Sequence, residues 1–212
     1  MIPLIVLTGP TTSGKSETAL QLARKLNTEI ISADSMQVYK YFDIGTAKHT
    51  SIQRKGIPHH LIDILEPDEE FNAFDFKTKA TEVIQGLMNQ HKIPIVVGGT
   101  ALYLKVLIQD YECAVEISEE TRKKIQQEIL QQGVEQVYKN LQEIDPDFAK
   151  NISETDSLRI ERALGVYRET GKPFSEFHKE DSVTDNNFPI HTFILEWNRA
   201  ELYEKINQRV DD

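Results

Sequence analysis

The sequence predicts an α/β protein: a parallel sheet with helices on both faces, plus a small all-helical insert. Three observations carry this. Short apolar runs at residues 3–8 (PLIVLT), 29–33 (EIISA) and 93–97 (IPIVV) read as strands buried on both sides. Amphipathic helical stretches separate them, which is the alternation that parallel crossovers require. From about residue 116 to 170 no strand pattern appears, and charged helix-forming segments follow one another.

Taken in order, residues 3–8 form the first strand. Residues 17–26 place Ala19, Leu20, Leu22, Ala23 and Leu26 at helical spacing. The second strand, residues 29–33, runs into Asp34-Ser35-Met36-Gln37, and residues 60–65 are a third candidate. Residues 72–91 read as a long amphipathic helix. The strand at 93–97 ends in Gly98-Gly99-Thr100, and residues 101–110 read as helical. EETRKKIQQEIL, VEQVYKNLQEI and DSLRIERALGVYRET supply the helices of the insert, punctuated by Asp145-Pro146-Asp147. Residues 189–197 (PIHTFILEW) return to strand composition. Leu202, Tyr203, Ile206 and Val210 then make one apolar helix face. The expected organisation is a core of residues 1–115 and 186–212, with an insert at 116–185.

Composition narrows the function classes. The chain is 39% apolar and 27% charged, which excludes disordered, collagenous and disulfide-stapled classes. No apolar run approaches the roughly 20 residues of a membrane span, and residues 2–7 lack the basic leader of a signal peptide. Cys113 is the only cysteine, so a reducing cytoplasm is expected. The formal net charge is −10, and it is uneven. Residues 1–110 carry 11 basic against 12 acidic side chains, and residues 111–212 carry 13 against 22. Bulk attraction to nucleic acid is not expected; such a partner needs a local basic surface.

Gly9-Pro10-Thr11-Thr12-Ser13-Gly14-Lys15-Ser16 matches G-x-x-x-x-G-K-[ST]. Glycines let a tight loop turn its N–H groups inward, and the next helix adds the positive end of its dipole. Lys15 reaches an outer phosphate and the Ser16 hydroxyl ligates Mg²⁺. A chance glycine-rich turn is the bland alternative, but the motif lies between a buried strand and an amphipathic helix, the context that confirms it. The core is therefore P-loop NTPase-like. The motif alone does not name the polyphosphate.

Asp34 emerges at the carboxyl edge of the sheet, where α/β proteins bind ligands. A carboxylate there can ligate Mg²⁺ or take a proton from an acceptor. A lone Asp after a strand is most simply an Asx turn or a helix cap. Ser35 and Gln37 shift that balance, because they add groups suited to reading a base edge.

GPTTSGKS, ISADSMQVYKYFDIGTAK (31–48), HHLID (59–63), VVGGTALYLKVL (96–107), DSLRIERALGVYRETGKP (156–173) and LEWNRAELYEKINQRV (195–210) together resemble the tRNA dimethylallyltransferases, also called tRNA isopentenyltransferases. The resemblance covers essentially the whole chain in order. It implies transfer of a dimethylallyl group from dimethylallyl diphosphate to the exocyclic amine of the adenine just 3′ of the tRNA anticodon. The P-loop then holds a diphosphate leaving group. By the same resemblance Asp34 is the general base, Asp34, Ser35, Met36 and Gln37 contact the base, and Thr100 lies at the catalytic channel and contacts the tRNA. Arg122, Arg159 and Arg162 contact RNA, and Arg199 lies near the diphosphate. Leu158 and Gly165 depart from the family's usual Gln and Glu. The family continues for a further quarter to a third of its length, and a monomer is expected.

The rival is a small-molecule kinase with ATP on the P-loop and Asp34 as base for a hydroxyl. Against it, no second Walker-type Asp follows residues 93–97. A nucleotide-dependent binding module needs nothing at Asp34. Adjacent histidines on a strand point to opposite faces, so His59-His60 is not read as a metal site. Cys113 is read as a packing residue.

Overall fold

The computed structural model describes residues 1–109, 115–177 and 188–211; Cys113 lies outside them. The described residues form five strands and eight α-helices. The strands are β1 (Leu4–Thr8), β2 (Ile30–Ser32), β3 (His59–His60), β4 (Ile95–Val97) and β5 (Ile190–Ile194). The helices are α1 (Lys15–Leu26), α2 (Ala73–Asn89), α3 (Ala101–Ile108), α4 (Glu119–Gln132), α5 (Val134–Ile144), α6 (Pro146–Ala149), α7 (Ser157–Thr170) and α8 (Arg199–Asp211), with a 3₁₀ turn at Phe174–Phe177. None is long and apolar enough to cross a membrane.

The sheet has the order β3-β2-β4-β1-β5 and every pairing is parallel. Register follows the apolar runs: Ile5 pairs with Ile95, and Ile30 with Ile95 on the other side. Alternation along the strands sends Ile5, Ile30 and Ile95 to one face, where Ala19, Leu20 and Ala23 of α1 cover them. Leu4, Val6, Ile31 and Val96 are also fully buried, so both sides of the central strands are covered, as their unbroken apolar composition demands. Asn72 starts α2 with a reciprocal capping box to Asp75.

One strand is shorter than its pattern suggests. Residues 60–65 read as a strand, yet pairing stops at His60 and only an isolated bridge joins Tyr39 to Leu65. Leu61 and Asp63 both adopt left-handed backbone, with φ 60 and 58. That conformation turns the chain out of the sheet and carries it back under residues 37–48.

The chain divides into two compact units, Met1–Gln109 with Thr184–Asp212, and Asp110–Val183. In the second, Ile125, Val137, Leu141, Ile160 and Leu164 form a buried core. Asp145 is buried and accepts from Phe148 N–H and Ser175 N–H, so it caps α6 and ties the 3₁₀ turn to it. The departure at Gly165 has a steric basis: a Cβ there would meet Ile117 Cδ1 at 2.4 Å.

Candidate active site

The P-loop joins β1 to α1 at the carboxyl edge of the sheet. Gly9 has φ 146, and a Cβ there would sit 2.6 Å from Leu195 O, so only glycine fits between β1 and the end of β5. Gly14 caps α1 in the left-handed conformation, with no side chain bonding the first-turn N–H groups. Those donors have no intrahelical acceptor and carry the positive end of the helix dipole. Ser13 is buried, and its Oγ makes no hydrogen bond among the described residues. Lys15 Nζ donates to Gly9 O (2.9 Å) and Pro10 O (2.6 Å), which places the ammonium over the loop. Burial lowers the Lys15 pKa; the Asp34 carboxylate opposes that shift and Arg209 adds to it.

A cavity of about 680 Å³ opens on this loop and is bordered by Gly9 through Glu17, Asp34, Gln37, Gly98 and Gly99. A second, of about 600 Å³, is lined by Met36, Tyr41, Phe42, Asp43 and Ile44. Thr11, Asp34, Thr46 and Arg209 border both. Asp34 therefore stands where the P-loop cavity meets a second cavity walled in part by Tyr41 and Phe42.

The Asp34 carboxylate is half committed. Oδ1 accepts from Met36 N–H (2.9 Å) and Gln37 N–H (3.2 Å), the Asx geometry expected of a turn. Oδ2 makes no hydrogen bond among the described residues. Thr100 steadies the same turn from across the sheet: its Oγ1 accepts from Ser35 N–H at 3.0 Å, and its own N–H donates to Ala33 O. Gln37 Nε2 donates to Thr46 O at 3.1 Å. That holds residues 43–47 beside the turn.

Behind them lies a charge network. Lys48 is only 3% exposed along its side chain and bonds Asp43 (2.8 Å) and Asp63 (2.6 Å), with Tyr39 O at 2.7 Å. Burial depresses its pKa, but the hydrogen bonds to the two carboxylates outweigh that and raise it. Arg54 joins through Asp63 and through His49 O. The two adjacent histidines do point apart: His59 borders the first cavity, while His60 Nε2 bonds Glu29 at 2.7 Å. Burial holds His49 and His59 below the ordinary histidine pKa, so both present neutral rings. Among the described residues no group of three or more His, Cys, Asp or Glu is placed to hold a metal.

The remaining residues read from the sequence are distributed differently. Arg199 lies over the Tyr203 ring, 5.5 Å from its centroid, and bonds the phenol oxygen; it does not border either cavity. Arg209 does, donating to Thr11 Oγ1 at 3.0 Å. Lys205 and Gln208 accompany it. In the second unit Arg122 Nε approaches Glu161 at 3.7 Å, Arg159 pairs with Asp156, and Arg162 Nη1 donates to Val115 O at 2.8 Å. Arg209, Lys205, Thr46 and His49 were not singled out from sequence, and His59 was weighed there only as half of a metal pair. The Lys205/Arg209 spacing of four on one helix face is the signal that could have found the first two.

Residues 37–212 match the family model described as IPP transferase. The chain belongs to the IPP transferase family. It is 43% identical over its full length to a tRNA dimethylallyltransferase of Caldanaerobacter subterraneus and 44% identical to one of Thermoanaerobacter pseudethanolicus, spanning 68% of each. Among solved structures it resembles a tRNA isopentenylpyrophosphate transferase from Staphylococcus epidermidis, at 40% identity and TM-score 0.64 over 69% of that chain. It also resembles a eukaryotic dimethylallyltransferase acting on tRNA, at 36% identity and TM-score 0.84 over 52% of that chain. Those IPP transferase relatives share its parallel sheet.

Proposed function

We propose that this IPP transferase moves a dimethylallyl group from dimethylallyl diphosphate to the exocyclic amine of the adenine immediately 3′ of the anticodon in tRNA, releasing diphosphate. One observation carries the mechanism: Asp34 borders both the phosphate-loop cavity and the aromatic-walled one. A donor diphosphate on the loop and an acceptor base in the second cavity would meet at that carboxylate.

In this reading the amine nitrogen attacks C1 of the dimethylallyl group. The C–O bond to diphosphate breaks, and its electron pair leaves with the diphosphate. The adenine amine is a poor nucleophile because its lone pair is delocalised into the ring. Asp34 Oδ2 takes the proton it loses, a contribution of about 10²–10⁴-fold. Lys15, the α1 N–H groups and Arg209 hold the leaving charge where it develops. Ser35, Gln37 and Met36 contact the flipped base; flipping costs a few kcal/mol, which such contacts offset. Thr100 holds the Asp34 turn.

The Ser16 hydroxyl borders the phosphate-loop cavity. It is a hard oxygen donor of the kind Mg²⁺ takes beside phosphate oxygens and several waters, which leaves Asp34 Oδ2 free to act as the base. Mg²⁺ bound there with the donor would neutralise part of the diphosphate charge. Arg122, Arg159 and Arg162 of the second unit serve as RNA contacts in the same reading, with Arg159 the most exposed. The work is done in the cytoplasm, where tRNA is.

The test incubates the protein with labelled dimethylallyl diphosphate, Mg²⁺ and unmodified tRNA. The expected result is label in tRNA with an equal amount of diphosphate released. Transfer of the γ-phosphate of ATP to a small hydroxyl acceptor, with no label in tRNA, would favour the kinase instead.

A further inference from the structure

We propose that Lys205 of α8 is a diphosphate ligand, held beside the phosphate loop by the ring of Trp197. The inference rests on the diphosphate reading of the P-loop and adds a residue to it. Trp197 lies between β5 and α8, and its Nε1–H donates to Ser13 O at 2.9 Å. The indole is thereby fixed to the loop itself. Lys205 Nζ lies 4.3 Å from the centre of that ring. Lys205 also borders the cavity with Gln208 and Arg209, and spacings of three and four put all three on one face of α8.

The charge pattern makes this a ligand rather than a surface lysine. Among the described residues Lys205 makes no ion pair, while most lysines of the insert are paired to carboxylates one helical turn away. Its partner is an exposed aromatic face, a weak contact for an ammonium. A diphosphate oxygen is a far stronger partner, since the hydrogen bond is charge-assisted at both ends. Lys15, Lys205 and Arg209 converge on one cavity with Asp34, a cation excess that fits a polyanion. The ammonium exchanges the indole for the donor's phosphates, and the Trp197–Ser13 bond keeps it within reach.

Trp197 is the only tryptophan in the chain, so its emission reports the exchange directly. Mg²⁺-pyrophosphate is titrated into the wild type, Lys205→Met, Lys205→Arg and Lys15→Ala, with calorimetry and Trp197 fluorescence as readouts. Lys205 is exposed, so equal melting temperatures are expected for both of its variants. The wild type binds with a change in emission. Lys205→Met binds about tenfold more weakly and loses most of that change, and Lys205→Arg recovers most of the affinity. Wild-type affinity in Lys205→Met, or a wild-type emission that does not move at saturation, overturns the assignment. If Lys15→Ala loses binding while Lys205→Met keeps it, only the Lys205 assignment falls. If the wild type binds no pyrophosphate, the diphosphate reading falls and Lys205 with it.

Discussion

Gly98→Ala is a one-methyl change that tests how the site is built. A Cβ at Gly98 would lie 2.1 Å from Ala33 O, 2.4 Å from its carbonyl carbon and 2.7 Å from its Cβ. Ordinary contact begins near 3.4 Å, so the two backbones must part by about 1.3 Å. Neither side yields easily. Ala33 N–H donates to Val97 O at 2.8 Å, Ala33 O accepts from Thr100 N–H at 3.3 Å, and Gly98 N–H donates to Leu7 O at 3.2 Å. Overpacking of this kind costs about 1–3 kcal/mol, or about 2–12 °C in melting temperature for a chain of this size. Ala33 leads directly into Asp34, and the Thr100 bond that would be strained belongs to the residue holding the Asp34 turn. A displacement of about 1 Å at a reacting group costs on the order of 10²-fold in rate. The assay pairs thermal melting with single-turnover transfer of labelled dimethylallyl to tRNA. The expected variant is folded, less stable and about a hundredfold slower. Turnover within about threefold of wild type, with an unchanged melting temperature, would refute the claim that close backbone approach sets the carboxylate.

Three further outcomes are expected. Asp34→Asn keeps the Oδ1 acceptor of the turn but removes the base, so tRNA binding should hold while turnover falls by about 10²–10⁴-fold; survival within a few-fold would leave Asp34 a turn residue only. If the Lys15 ammonium holds the diphosphate as proposed, affinity should be full below the Lys15 pKa and fall as pH rises through it, from below the ordinary lysine value. Arg209 contributes to that lowering, so Arg209→Gln should weaken pyrophosphate binding yet move its alkaline fall to higher pH; calorimetry across pH 8–11 checks this, and an unmoved limb contradicts it. Lys48→Met removes a buried ammonium from two carboxylates that are 63% and 40% exposed. Those can rehydrate, so the loss should be about 2 kcal/mol rather than that of a fully buried pair, seen as about 4–8 °C in melting temperature. A melting temperature within about 1 °C of wild type would show the network to be dispensable.

The sheet was legible because its central strands are apolar on both faces, a pattern few other elements produce. The P-loop was legible because every role in it is tied to a residue type at fixed spacing. The third strand was not, since left-handed backbone at Leu61 and Asp63 leaves no mark in an apolar run. The arginine at the cradle was hidden for a different reason. Thr11 and Arg209 are 198 positions apart, and which face of α8 meets the loop depends on how Trp197 docks on Ser13. The resemblance pointed to Arg199, whereas the geometry brings Arg209 to the cavity. In the second unit, spacing put Arg159 and Arg162 on one helix face, but it could not show that the Arg162 guanidinium bonds Val115 O.

Asp34 shows why the modest and the functional readings of a residue need not compete. As a turn residue it spends Oδ1 on two backbone N–H groups. A carboxylate on a free side chain would have to be ordered at each encounter, at a cost in rotamer entropy. Here the turn has already ordered it, and Thr100 and the Gly98 approach hold the turn from the neighbouring strand. Oδ2 is thereby left without a hydrogen bond among the described residues, on a residue that borders both cavities, with Lys15 as the nearby positive charge. That arrangement suits a base that must take a proton from a weak nucleophile while a leaving group gathers charge beside it. An Asx turn is a common local structure. Its position between the two cavities is what makes it a candidate for chemistry.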